Sequence, residues 1–178
     1  MSNVLSHAIT DTLHLGRKVE KEDFHIALTG TEDYIPHMGM VALTVHAHNE
    51  DMPICYHFFV NHLTEEEKVK LEKAAQLMHS PVEVHLIDDS AFKTLLLSDG
   101  VAAFFYRFLV APTVAPLTDR VLYLDGDMMC RGSLAYLRNL DFQGNDVAVV
   151  SDRKEELQMK RVHTKRYFNA GMMLINVK

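Results

Sequence analysis

Two acids separated by one glycine, Asp125-Gly126-Asp127, follow the apolar run Val121-Leu122-Tyr123-Leu124. Carboxylates this close repel each other until a cation sits between them, so the pair reads as a place for a hard divalent ion. Residues two apart on an extended chain point the same way, and Gly126 leaves the backbone open to an approaching ligand. Oxygen donors suit Mg2+ or Mn2+, ions that complete their shells with water and phosphate oxygens. Two rival readings fit the same letters. In one, D-G is a hairpin turn joining residues 121–124 to 128–130, and the acids are merely solvated. In the other, Asp125 is the nucleophile of an aspartyl phosphatase, although Met129 stands where that pattern carries Thr or Val.

Arg107 is the next chemically suggestive residue. The stretch V-A-A-F-F-Y-R-F-L-V-A-P is apolar around this one guanidinium, and a buried charge demands a counter-ion. A phosphate or diphosphate matches its planar fork; a snorkelling or structurally paired arginine is the plainer alternative. Further on, Asn169-Ala170-Gly171 reads as a turn before a buried strand, with an amide that can both donate and accept.

The elements needed to position these groups follow from pattern. F-H-I-A-L-T from Phe24, I-C-Y-H-F-F-V over 54–60 and V-E-V-H-L-I over 82–87 predict strands, as do residues 121–124, 147–150 and 172–176. Residues 35–48 predict a helix. Thr64 and Glu67 have the spacing of a capping box ahead of another, and Ser133 is the expected cap of a third. Strands interleaved with helices predict an α/β layer fold with a mainly parallel or mixed central sheet, whose site lies at the C-terminal strand ends. Residues 1–23 read as a polar flank or surface helix and residues 24–178 as one domain.

Composition narrows the function classes. The 178-residue chain is 48% hydrophobic and 24% charged, an ordinary globular balance with enough length for one core. A formal charge of −6 gives no general attraction to nucleic acid. No apolar run is long enough to span a membrane, and the first ten residues lack the form of a secretory signal, so the expectation is a cytosolic protein. Cys55 and Cys130 have neither metal-site nor disulfide spacing. The 11 histidines show no H-x3-H pair, His46 and His48 lying two apart, and the 10 methionines read mostly as core filler.

Taken together, F-F-Y-R-F, R-V-L-Y-L-D-G-D followed by G-S-L, V-A-V-V-S-D and Y-F-N-A-G-M-M-L-I-N resemble, in order and spacing, glycosyltransferase family eight. These are retaining sugar transferases of GT-A type that include bacterial lipopolysaccharide galactosyl- and glucosyltransferases. The resemblance runs from about Phe24 to Lys178. It implies a GT-A-like, Rossmann-like nucleotide-sugar domain in which Thr29, Gly30, Thr31 and Asp33 line the uracil base and Tyr34 stacks on it. The family more often carries an acid at position 31 and Asn at position 33, which leaves the base contacts open. It further implies that Arg107 holds the donor and that Asp125, with Gly126 beside it, faces the ribose or the Mn2+ or Mg2+ ion. Asp127 would bind that ion, while Asp152, Asn169, Ala170 and Gly171 surround the transferred sugar.

The implied donor is UDP-galactose or UDP-glucose and the implied acceptor a saccharide of the lipopolysaccharide core, at the inner face of the cytoplasmic membrane. Peripheral membrane association would come through regions absent here. No residue is assigned as nucleophile. Family members continue into a tryptophan-bearing segment and a later histidine that completes the metal shell. This chain has no Trp and stops at Lys178, so the expectation is a truncated enzyme of weak or absent turnover. A non-catalytic UDP-sugar binder and a glycogenin-like self-glucosylating protein are the alternatives.

Overall fold

The computed structural model describes residues 7–90, 92, 102–152, 159–161, 164 and 167–178. Its elements are β1 (Ile9–Leu15), β2 (Phe24–Thr29), α1 (Ile35–Ala47), β3 (Ile54–Val60), α2 (Glu65–Met78) and β4 (Val82–Ile87). After these come α3 (Ala103–Val114), β5 (Arg120–Asp125), α4 (Ala135–Arg138), β6 (Val147–Ser151) and β7 (Phe168–Asn176). β2 and β3 are buried at every position, as expected of strands covered on both faces rather than alternating between core and water.

The strands form one sheet in the order β1-β4-β3-β2-β5-β7-β6. Its centre, β4-β3-β2-β5, is parallel, while β1 and β7 run antiparallel to their inner neighbours and β6 antiparallel to β7. One face, with Ile26, Leu28, Tyr56, Phe58 and Leu122, packs on α1 and α2 through Met38, Val41, Leu71 and Ala75. The other, with Ala27, Phe59, Val121 and Tyr123, packs on Tyr106, Leu109, Val110 and Val114 of α3. From β2 the chain builds outward to β3 and β4, then returns to lay β5 on β2's other side. The strand order therefore reverses between β2 and β5, where an open α/β sheet forms a ligand crevice.

The predicted α/β class and central strands stand, with several corrections. Residues 9–15, read as flank or surface helix, are an edge strand paired with β4; Thr10, Thr12 and Leu13 suit its pleat, and Ala8 and Leu15 are buried. Asn169-Ala170-Gly171 is not a turn but the start of β7. Ser133 does not cap the four-residue α4, whose N-cap is Leu134; its hydroxyl accepts instead from the Ala135 N–H at 3.2 Å. Residues 128–130 form no strand and β5 pairs with β2 and β7, which removes the D-G hairpin. Met38 and Met78 are core residues, whereas Met40 and Met129 are exposed. The Thr64–Glu67 capping box is present, with Thr64 accepting from the Glu67 N–H and Glu67 accepting from the Thr64 N–H. Among the described residues no helix is long and apolar enough to cross a membrane.

Candidate functional site

Thr29 ends β2 and Asp125 ends β5, and the two are register partners, so the loops after them leave the sheet side by side. The first loop turns back at once through a short helical turn at Glu32–Tyr34, closed by the Tyr34 N–H donating to the Thr31 carbonyl at 2.9 Å. Close packing explains two glycines. A Cβ on Gly30 would lie 2.8 Å from Tyr34 Cβ, and one on Gly126 would lie 2.9 Å from Met38 Cγ. Both loops are pressed against the start of α1, so Gly126 serves the protein's own packing as well as lining the cleft.

Arg107 reaches into this crevice from α3. Its guanidinium lies over the Tyr123 ring, 5.1 Å from the centroid, donating to the Ala170 carbonyl and to Asp125 Oδ1, each at 3.4 Å. These are long bonds, and the buried Nε has no partner among the described residues. A guanidinium held so loosely retains donors for an anion of better geometry. The Tyr123 hydroxyl donates to Asp125 Oδ1 at 2.6 Å and lies 3.1 Å from Thr29 Oγ1. Burial first, and then the bond to Asp125, raises the Tyr123 pKa well above the usual phenol value, so the group stays a protonated donor.

Asp125 thus has one oxygen fixed by two donors. Its other oxygen, Oδ2, faces Gly171, where an added Cβ would lie 2.8 Å away. The strand stops at Asp125, and Asp127 stands in the following turn, exposed and without a hydrogen bond or ion pair among the described residues. The two acids share the cleft through this turn, not through the strand alternation anticipated from sequence.

Of the residues expected from sequence, Thr29, Gly30, Thr31, Tyr34, Arg107, Asp125, Gly126 and Asp127 all line one cleft. Asp33 is exposed and does not line it. Asn169, Ala170 and Gly171 sit beside it. Register with β6 slips there, Val149 facing Met173 but Val150 facing Asn169, and the resulting bulge turns the Ala170 carbonyl toward Arg107. Within it the Gly171 N–H donates to Asn169 Oδ1 at 2.7 Å. Asp152 follows β6 on the same rim of the sheet, its N–H directed at the Tyr167 carbonyl at 3.4 Å, but it does not line the cleft.

Sequence reading passed over Tyr123, Phe104 and Ala103, which also line the cleft. Tyr123 was findable, since it lies two residues before Asp125 on one strand and so shares its face; Phe104 lies one helical turn before Arg107. A third group has no local signal because separate loops supply it. Asn61 accepts from the Glu32 N–H at 3.1 Å, and the Tyr106 hydroxyl donates to Asp89. Glu32 Oε2 is buried there without a partner among the described residues.

A family model described as glycosyl transferase family 8 matches residues 25–178. A lipopolysaccharide 1,3-galactosyltransferase of Salmonella typhimurium is 30% identical over 167 residues, covering 89% of this chain and 50% of the relative. The lipopolysaccharide glucosyltransferase WaaO of Escherichia coli K12 is 26% identical, covering 94% of this chain and 53% of its own. In fold the chain is similar to the galactosyltransferase LgtC, solved with donor and acceptor sugar analogues, with a TM-score of 0.76 at 23% identity over 87% of this chain and 58% of that one. The chain spans about half the length of the curated relatives it matches.

Proposed function

The chain belongs to glycosyl transferase family 8, and from that premise we propose that the whole protein moves galactose or glucose from a UDP-sugar to a saccharide acceptor of the lipopolysaccharide-core type. The observation that carries this reading is the convergence, at the crevice where strand order reverses, of Arg107, Asp125 and Asp127 with the Gly30–Tyr34 turn. The galactosyl- and glucosyltransferase activities of the relatives support the class of reaction.

The donor set fits a hard divalent ion. Asp125 has a carboxylate oxygen beyond those bonds and Asp127 is unpaired among the described residues, so both offer oxygen donors of the kind Mn2+ and Mg2+ take. When bound, such an ion would neutralise charge on the departing diphosphate. The protein's own groups do the rest. Tyr123 holds Asp125 in place through its hydroxyl and supports the Arg107 guanidinium on its ring. As the sugar–phosphate bond lengthens, negative charge grows on the leaving oxygens, and Arg107, already aimed into the crevice, stabilises it without reorganising. The Tyr34 ring, 46% exposed at the mouth, offers a face for the uracil, and Asn169 and Asp152 on the same rim position the transferred sugar.

Incubating the whole protein with a panel of UDP-hexoses, Mn2+ and a lipopolysaccharide-core acceptor, and measuring UDP release, tests the proposal. It expects release from UDP-galactose or UDP-glucose that an Arg107→Ala change reduces by at least 100-fold. Turnover of neither donor, with no metal-dependent UDP binding, would remove it.

A further inference from the structure

On the sheet face that meets α3, a row of ionisable side chains runs obliquely from His25, near the end of β2 away from the cleft, to His85, and is buried where apolar residues would be expected. His25, Cys55 and His57 are each 0% exposed, and His85 is 4% exposed. The row crosses three strands. His25 Nδ1 lies 2.8 Å from His57 Nε2, and His57 Nδ1 lies 3.1 Å from His85 Nε2. Thr12 Oγ1, on β1, then lies 3.0 Å from His85 Nδ1.

One point in this row is over-subscribed. Cys55 Sγ lies 3.5 Å from the same His57 Nε2 that His25 Nδ1 approaches. A neutral ring nitrogen has either one proton or one lone pair, so it satisfies one of these two neighbours and not both. His25 Nε2, meanwhile, is buried with no partner among the described residues. In every tautomer, therefore, the row leaves polar atoms unmet inside the core, where each is costly.

A metal ion resolves the competition at His57 Nε2, because it accepts lone pairs from that nitrogen, Cys55 Sγ and His25 Nδ1 at once; His25 Nε2 then carries its ring's proton and stays without a partner among the described residues. One donor atom from each of His25, Cys55 and His57 lies within 4.8 Å of the other two. Ligands about 2.3 Å (sulfur) and 2.0–2.1 Å (nitrogen) from a shared ion stand roughly 3.5–3.8 Å apart, which the Cys55–His57 separation matches. The His25 ring would retreat by about half an ångström to reach the corresponding nitrogen–nitrogen spacing. The outer contacts are those such a ligand needs. With its proton on Nδ1, His57 donates to His85 Nε2, and the His85 Nδ1–H donates in turn to Thr12 Oγ1, fixing the His57 tautomer.

We propose that His25 Nδ1, Cys55 Sγ and His57 Nε2 form a buried site for one thiophilic transition-metal ion, Zn2+ or Cu+, that ties β2 to β3 and is separate from the Asp125–Asp127 cleft. Thiolate with imidazole selects these ions over Mg2+ or Mn2+. On binding, the Cys55 thiol loses its proton to solvent, and both imidazoles remain neutral. The ion is incorporated as the chain folds, since the site has no exposed ligand.

The chain is expressed in medium containing Zn2+, Cu2+ (reduced to Cu+ by the thiols of the host cell) or Co2+, purified, dialysed against EDTA to strip the open carboxylate cleft, and analysed for metal. The proposal expects about one equivalent of retained ion. X-ray absorption should show one sulfur and two nitrogen neighbours, and the Co2+ form a thiolate charge-transfer band. Retention and band vanish in Cys55→Ala, a small apolar replacement, and persist in Cys130→Ala and in the Asp125→Asn/Asp127→Asn double variant. The metal that dominates distinguishes zinc from copper. No retained metal in the wild type, a shell without sulfur, or an unchanged band in Cys55→Ala each overturns it. Should Cys55→Ala fail to fold, the wild-type absorption spectrum decides alone.

Discussion

Lowering the pH from 7.5 to 5.0 should destabilise this protein, once it has been unfolded and refolded in EDTA so that no ion occupies the buried imidazole–thiol cluster, far more than its surface charge would suggest. The cause is the buried imidazole row. Burial, slightly opposed by Asp23, drives the His25 pKa down to about 4, and burial with a contribution from His14 does the same to His85. His57 is shifted in the same direction by burial and by its two histidine neighbours. Unfolded, each ring returns to about 6.5. Between pH 6.5 and 4 the unfolded chain therefore binds protons that the folded chain refuses, so stability rises with pH through this window and is lost as pH falls. At pH 5 each of His25 and His85 costs on the order of 2 kcal/mol, with His57 adding in the same sense. Against a typical total of about 5–15 kcal/mol, that is a large fraction. Urea unfolding at pH 7.5, 6.5, 5.5 and 5.0 measures it directly. The slope should approach about 4 kcal/mol per pH unit near pH 5.5, and His85→Gln should remove roughly a third of it. A stability that changes by less than about 1 kcal/mol over the range would refute the burial of neutral imidazoles.

Other perturbations act on the cleft and the scaffold. Gly171→Ala places a methyl 2.8 Å from Asp125 Oδ2 and 2.9 Å from Asn169 Oδ1, and is expected to weaken Mn2+-dependent UDP binding at least tenfold in calorimetric titration with little change in melting temperature. Tyr123→Phe removes the shorter of the two bonds that fix Asp125 and leaves Thr29 Oγ1 without that partner; about 1 kcal/mol of stability should be lost in urea melts, together with UDP affinity. Thr64→Ala removes the capping box and should cost about 1 kcal/mol without changing UDP binding, which separates scaffold from site.

Much of this architecture is legible in the sequence because its signals are local. Residues 54–60 and 82–87 form strands over the predicted spans, and the Thr64–Glu67 spacing gives the capping box found at α2. The cleft was legible for a related reason: in a parallel sheet the residues after each strand gather on one rim, so Thr29 and Asp125 meet although 96 positions separate them. What escaped depends on pairing across strands. β1 has few large apolar residues, and its pairing with β4 supplies what its sequence does not announce. Asn169-Ala170-Gly171 looks like a turn by composition, but pairing between β7 and its neighbours holds it as a bulged strand. The imidazole row appears only once β2, β3 and β4 lie side by side, since each strand contributes just one of its rings. The Glu32–Asn61–Asp89 grouping likewise needs three loops brought together.

A crystal of the chain soaked with UDP and Mn2+ tests the central claim most directly. An anomalous peak for manganese coordinated by Asp125 or Asp127, with the diphosphate against Arg107 and the uracil on Tyr34, is the predicted result. Nucleotide bound elsewhere on the molecule, or manganese absent from the cleft with UDP present, would contradict it.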